Sequence, residues 1–236
     1  MIHKVAQAES TNDFLRDLIS ENSPSGTVIW TENQTQGKGS FGNRWISEKG
    51  QNLTFSYLLR HFVSIDKQIS VSWWVSVCLW KALAKIGVES QIKWPNDIIV
   101  GGKKVGGILI EPKIVEKNCI FFIVGVGINL NQTQFENLPK ASSLKLETGK
   151  DFILEEMLTI FVETFNQNIS ALEDPNELLL FYNQHLYKKD KVACFKFEEQ
   201  IYNGVIRQML PDGKLLVELQ EKGSQIFAQK QIELLF

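Results

Sequence analysis

The chain has 236 residues, 44% of them apolar and 22% charged, which is enough for one sizeable core and too apolar for a disordered segment. Its 25 lysines and arginines against 27 aspartates and glutamates leave a net charge of −2, so binding to nucleic acid through bulk positive charge is excluded. No apolar run reaches the roughly 18 residues of a membrane span and no leader-like pattern opens the chain. Three cysteines without a C-x-x-C pair predict a reducing, cytoplasmic compartment, with Cys78, Cys119 and Cys194 as core residues.

The stretch "STNDFLRDLIS" predicts a helix: Ser10 or Thr11 can cap it, Asp13 suits the first turn, and Phe14, Leu15, Leu18 and Ile19 recur at helical spacing. Pro24-Ser25-Gly26 ends it, and "TVIW" follows as a short buried strand. The polar, glycine-rich run from Thr31 to Asn52 predicts a long loop, and loops of that length are functional or disordered. "LTFSYLL" alternates as a strand, and "IDKQISVSWWVSVCLWKALAKIG" is a helix closed by Gly87. Next comes "KWPNDIIVGGKKVGGILIE", with an Asx-type turn at Pro95-Asn96-Asp97 and a tight, positive-φ hairpin at Gly101-Gly102. Together with "CIFFIVGVGINL" it gives three strands. Residues 151–172 and 175–187 predict helices, the second starting at Asp174-Pro175. From Lys191 onward, short strands around a turn at Pro211-Asp212-Gly213 predict a small β-barrel. The division falls into residues 1–188 and 189–236, and the fold class is α+β with a mixed sheet.

Gly37-Lys38-Gly39 lets backbone N–H groups and an ammonium converge on one anion, and reads as easily as a solvated turn. It is not a P-loop, since no G-x-x-x-x-G-K-[ST] occurs. Gly125-Val126-Gly127 does not continue as a dinucleotide fingerprint, because Leu130 stands at the last glycine position. A strand headed by Lys104 and carrying Gly106-Gly107 leaves room above the sheet for a flat ligand whose charged end meets Lys104. Solvated lysines beside a glycine bulge are the alternative. His3, His61 and His185 share no metal-ligand spacing, neither G-x-S-x-G nor H-E-x-x-H occurs, and no cysteine has a basic partner in sequence. Lysines, an arginine, glycines and tryptophans remain, a set that binds and polarises phosphates and stacks a base.

Four segments occur in order: Glu9–Asp13 (E-S-T-N-D), Thr31–Trp45, Lys93–Glu111 and Val124–Asn131 (V-G-V-G-I-N-L-N). They resemble the catalytic core of biotin–protein ligases, and the module after Lys191 resembles that family's SH3-like C-terminal domain. The resemblance covers nearly the whole chain. Its most specific element is K-W-P-N-D followed by Lys104, a glycine pair and I-L-x-E. It implies a mixed sheet with helices against one face and a small barrel. It also implies a two-step reaction in which biotin carboxylate attacks the α-phosphate of Mg·ATP, giving biotinyl-5′-AMP and pyrophosphate. A lysine of a biotin carboxyl carrier protein or domain then displaces AMP. Biotin, ATP, Mg²⁺ and the carrier are thus the implied partners, with no membrane.

By this resemblance Ser10, Thr11 and Asn12 hold the biotin ureido ring in a dry pocket that needs donors and acceptors, and Gln34 lines it. Gly37, Lys38, Gly39 and Ser40 fold over biotin and the adenylate phosphate. Lys104 meets the carboxylate and the α-phosphate as the main catalytic residue, with Lys38 beside it, while Gly106 and Gly107 permit close approach. Trp45, Gly127, Ile128 and Asn129 match positions near adenine and ribose. Asp97 is read as holding the K-W-P-N-D turn, a metal role being the alternative, and no metal ligands are identified. The chain departs from the family at Ser40-Phe41, where further basic residues are usual, and "GVIRQML" lacks the G-I-D motif of the C-terminal module. With S-T-N beginning at residue 10 there is no room for the helix-turn-helix of repressor members, so DNA binding is not expected. A lipoate–protein ligase of the same core and a non-catalytic biotin sensor are the alternatives. The segments around Gly37 and Lys93 fit the biotin branch, and a sensor would have lost Lys104 or Gly37-Lys38-Gly39. A homodimer is compatible with the sequence.

Overall fold

The structure, a computed structural model, describes residues 1–20, 22–60, 68–115 and 118–235, and of 114, 115 and 118–120 the backbone alone. His61 and the predicted helix start at Ile65–Lys67 lie outside the described residues, as does the side chain of Cys119. The first part forms β1 (Ile2–Lys4), α1 (Thr11–Leu18), β2 (Val28–Thr31), a short ladder of β3 (Gly37–Lys38) and β4 (Arg44–Trp45), β5 (Asn52–Leu59) and α2 (Gln68–Lys85). Strands β6 (Gln91–Lys93), β7 (Asp97–Val100), β8 (Lys103–Val115) and β9 (Asn118–Asn129) follow, then α3 (Leu144–Thr148), α4 (Leu154–Gln167) and α5 (Pro175–Gln184). The C-terminal strands are β10 (Val192–Phe197), β11 (Gln200–Met209), β12 (Leu215–Leu219), β13 (Gly223–Phe227) and β14 (Glu233–Leu235).

Seven strands make one sheet in the order β1-β2-β5-β9-β8-β7-β6. β1 runs parallel to β2 and the remaining neighbours are antiparallel, so the sheet is mixed, as the α+β reading requires. Because side chains alternate along a strand, each strand serves two faces. One face carries Phe55, Tyr57, Val124, Val126 and Ile128, which form the main core with residues of α2, α4 and α5. Helix α2 buries Val71, Trp74, Val75, Cys78 and Leu79 together with Ser70 and Ser76, since it lies against both the sheet and other helices. The Tyr57, Trp74 and Phe165 rings meet there at 5.1 to 6.2 Å between centroids. On the opposite face α1 packs through Leu15 on Ile29, Leu58 and Ile123.

Helix α1 differs from its predicted stripe. Ser10 is the cap, its hydroxyl accepting from the Asp13 N–H, but the buried residues are Thr11, Asn12 and Leu15. Phe14 and Leu18 are 38% and 52% exposed. Thr11 and Asn12 donate to Gln34 and Glu111, and Asn12 accepts from the Ser56 hydroxyl; these bonds fix the helix's rotation, and the apolar pair is turned outward with it.

Other local expectations hold where the cause is local. Gly101 and Gly102 have φ of 58° and 81°, and Gly87 has φ of 74°. The Asp174 carboxylate accepts from the N–H groups of Asn176 and Glu177 at 3.1 Å to start α5. The helix predicted over 151–172 is α4 followed by a 3-10 turn, Ile169–Glu173. Cys78 is buried, but Cys194 is exposed, because it alternates on β10 with the inward-facing Phe195. Among the described residues no helix is long and apolar enough to cross a membrane.

The C-terminal strands form an antiparallel sheet in the order β13-β12-β11-β10-β14. No ladder joins β13 to β14 among the described residues, so an open sheet stands where a barrel was expected. Its Phe195, Ile206 and Val217 belong to the same apolar core as the large sheet. Trp94 Nε1 donates to the Gly213 carbonyl at 2.9 Å. The Asn183 amide exchanges two bonds with the Met209 backbone, donating to its carbonyl at 2.9 Å and accepting from its N–H at 2.7 Å.

Candidate active site

Strand register builds a floor of small residues. Thr31 pairs with Thr54, Thr54 with Gly127, Gly127 with Gly107, Gly107 with Asp97 and Asp97 with Lys93. Gly107 and Gly127 thereby expose backbone at the base of a cleft of about 970 Å³. A flat group does occupy the glycine floor, and it is the chain's own Trp45. A Cβ at Gly127 would come 2.3 Å from the indole, and one at Gly107 would come 3.1 Å from it. Gly106 faces the other way: its Cβ would meet Ile128 Cδ1 at 2.6 Å, so it serves the core and not the cleft.

A bulge sets the position of Lys104. Ile98 pairs with Gly106 and Ile99 with Lys104, which leaves Val105 as the extra residue. Strict alternation would put Lys104 and Gly107 on opposite faces; the inserted residue brings both to the cleft while Val105 goes fully into the core. Lys104 Nζ lies 2.6 Å from Asp97 Oδ1, and Lys93 Nζ lies 3.1 Å from Asp97 Oδ2. Asp97 is therefore the counter-ion of two lysines. The turn before it also departs from the expected Asx form. Trp94-Pro95 is a cis peptide, and Asn96 Nδ2 donates to the Ile108 carbonyl and to Ser40 Oγ, each at 2.7 Å.

At the other end, buried polar groups converge. The Thr11 N–H donates to Gln34 Oε1 at 2.9 Å, and the Thr11 hydroxyl lies 3.2 Å from the same oxygen. The Ser56 hydroxyl lies 2.8 Å from Thr11 Oγ1 and 2.5 Å from Asn12 Oδ1. Asn12 Nδ2 donates to Glu111 Oε2 at 2.6 Å, and a Cβ at Gly125 would collide with Asn12 Oδ1 at 2.4 Å. Ser10 is buried here as the helix cap.

The run from Thr31 to Asn52, predicted as a bare loop, carries the β3–β4 ladder and a 3-10 turn, Ser40–Gly42. Gly37 is required by packing: its Cβ would lie 2.5 Å from the Trp45 carbonyl and 2.6 Å from Gln34 Nε2. The Gly39 N–H donates to the Asn43 carbonyl at 2.8 Å and so closes the turn. Lys38 Nζ bonds both Asp13 oxygens, at 2.6 and 2.9 Å. Burial pushes the Asp13 carboxyl up, but Lys38 and Arg16 outweigh it and hold Asp13 below its ordinary value.

Of the residues named from sequence, Ser10, Thr11, Asn12, Gln34, Lys38, Gly39, Ser40, Trp45, Lys104, Gly107 and Gly127 line this one cleft. Ile128 points into the core, and Asn129 is buried with its Nδ2 on the Ser142 carbonyl at 2.9 Å. Ser56, Asn96, Glu111 and Asp13 were not singled out for the site. Their roles arise from pairing across the chain, apart from Asp13, whose position one residue after S-T-N was a usable signal. Lys38, Arg44, Lys93, Lys104, Lys140 and Lys230 face the cleft against Asp97 and Glu233, so a chain of net −2 concentrates its cations here.

Fold and cleft together define a class that solved structures represent. A biotin protein ligase from Aquifex aeolicus, solved in complex with biotin and ATP, superposes with a TM-score of 0.81 at 25% identity, over 99% of this chain and 97% of that one. Residues 5–129 match the model of the biotin/lipoate A/B protein ligase family, and the chain belongs to that family. The bifunctional ligase/repressor BirA of Bacillus spizizenii is 30% identical over 180 residues, which are 72% of this chain and 55% of that protein. Biotin–protein ligase 1, chloroplastic, of Arabidopsis thaliana is 30% identical over 218 residues, 84% of this chain and 56% of that one. The chain thus spans about half the length of the curated relatives it matches.

Proposed function

We propose that the chain activates biotin with Mg·ATP and transfers it to a lysine of a biotin carboxyl carrier protein or domain. The observation that carries this reading is the division of one cleft into two ends. A largely buried hydrogen-bonding end of Thr11, Asn12, Gln34 and Ser56 suits a ureido ring, and a cationic end of Lys93 and Lys104 around Asp97 suits a carboxylate meeting phosphate.

In the first step a biotin carboxylate oxygen bonds to the α-phosphorus, the Pα–O bond to the β-phosphate breaks, and pyrophosphate leaves. In the second, the carrier amine bonds to the acyl carbon and AMP leaves with the C–O electron pair. Neither step needs a nucleophile from this chain. Lys104 neutralises the charge gathering at the carboxylate and α-phosphate, and Asp97 keeps its ammonium over the glycine floor. Lys38 is the second cation, turning from Asp13 to the phosphate when ATP binds. Biotin is held by Ser10, Thr11, Asn12, Gln34, Gly37, Lys38, Gly39, Ser40, Lys104 and Gly107. The adenylate is held by Lys38, Gly39, Trp45, Lys104, Gly127 and Asn129, with Ile128 acting only through its backbone. Trp45 Nε1 is buried with no partner among the described residues, a donor suited to an acceptor of the bound nucleotide. Mg²⁺ enters with ATP as substrate. Asp97 fits a metal only if Lys93 and Lys104 turn away from it. ATP-dependent modification of a carrier fits a cytoplasmic location, and residues 1–188 and 189–236 are the proposed core and C-terminal module.

The test is mass spectrometry of an isolated carrier domain after incubation with the chain, Mg·ATP and either biotin or lipoate. One biotinyl group added to one lysine is the expected result. Lipoyl transfer in its place, or no transfer with either acid, overturns the reading.

A further inference from the structure

We infer that Lys230, in the C-terminal sheet, is a positioning residue that holds the glycine loop over the cleft through Phe41. Lys230 Nζ lies 4.3 Å from the centroid of the Phe41 ring. Phe41 sits in the 3-10 turn Ser40–Gly42 with φ of 59°, and Lys230 sits between β13 and β14 with φ of 68°. Left-handed backbone is uncommon for residues with side chains. A contact in which both partners adopt it marks a geometry that the surroundings must maintain.

The two residues approach from different parts of the chain and both line the cleft. A second contact runs the same way: Lys140 Nζ lies 3.6 Å from Glu233 Oε1. The segment 229–234 therefore forms a bar across the mouth, from the glycine loop to the segment around Lys140. Phe41 is 54% exposed, so apolar burial does little to hold it. The Asn96–Ser40 hydrogen bond holds the other side of the turn, and attraction between the ammonium and the ring face adds a contact that at an exposed site shifts an equilibrium about two- to fivefold. The consequence for chemistry rests on the proposed function: a loop held shut shields a mixed anhydride from water.

The experiment is the rate of tryptic nicking at Arg44 in the ligand-free full chain. Phe41→Leu keeps an apolar side chain but removes the ring, and Lys230→Gln removes the charge. Each is expected to speed nicking about two- to fivefold. In the Lys230→Gln background, Phe41→Leu should add nothing, a comparison that cancels any effect of residue 41 on trypsin itself. Lys230→Arg should restore the wild-type rate, and Phe41→Trp should slow nicking below it. Singles that leave the rate unchanged, effects that multiply in the double variant, or faster nicking with Phe41→Trp each overturn the inference. No biotin, ATP or carrier is needed, so this result and the test of function fail separately.

Discussion

Lys104 Nζ stands 2.6 Å from Asp97 on the face that carries Gly107, three positions along the same strand. Under the proposed chemistry, removing its ammonium would leave charge developing at phosphate without this cation, a loss of about 3 kcal/mol, or two to three decades in rate. Pyrophosphate release by Lys104→Ala at saturating biotin and Mg·ATP checks this, and a rate within a factor of two of wild type would take Lys104 out of the chemistry. Asp13 gives a pH signature. Its folded carboxyl lies below the ordinary 3.8, so its contribution to stability is present above that value and is lost as pH falls through the folded one. Acid unfolding of Asp13→Asn should lack that dependence; an unchanged acid limb would count against the Lys38–Asp13–Arg16 cluster. Lys104 and S-T-N were placed in the site through the resemblance, since taken alone the lysine reads as easily as a solvated one and the serine only as a helix cap. Asn96 was not, since its side chain bonds Ser40 and Ile108, and nothing in the turn itself announces either partner.

At the scale of elements, the Gly106-Gly107 pair divides its work between two faces, which a period-two reading of β8 hides. The division predicts opposite phenotypes. Gly106→Ala would press on Ile128 and the Gly127 carbonyl within the core, an overpacking cost of about 1–3 kcal/mol. Gly127→Ala would instead displace the Trp45 indole from the floor, lowering affinity for Mg·ATP while the folded core keeps its packing. Thermal melts and nucleotide titrations of both variants check this, and it fails if Gly106→Ala melts like wild type or Gly127→Ala binds like it. The hairpin glycines and the Asp174 cap could be read from sequence because each encodes its own turn. The Val105 bulge and the inward turn of Thr11 and Asn12 could not, because pairing with β7 and hydrogen bonds to distant residues decide them.

The whole molecule shares one apolar core between two sheets, sealed by the Asn183 amide on the Met209 backbone and by Trp94 on Gly213. Asn183→Ala leaves a backbone N–H and C=O without their partner, which costs about 1–3 kcal/mol. Calorimetry should show this as a lower Tm in a single transition, and two separate transitions would mean that the C-terminal sheet folds on its own. Sequence placed that sheet correctly in the chain but could not show how deeply it docks, since Phe195 and Val217 read the same whether they close a barrel or join a larger core. The large sheet holds a different lesson. Phe55, Tyr57, Val126 and Ile128 anchor one side of it, while Thr54, Ser56, Gly125 and Gly127 from the same two strands face the other, where the two glycines line the cleft. Under the proposed function, heritable change confined to the cleft lining can alter which acid is recognised while the main core keeps its packing, and a lineage recruited to a new acid need not rebuild that core.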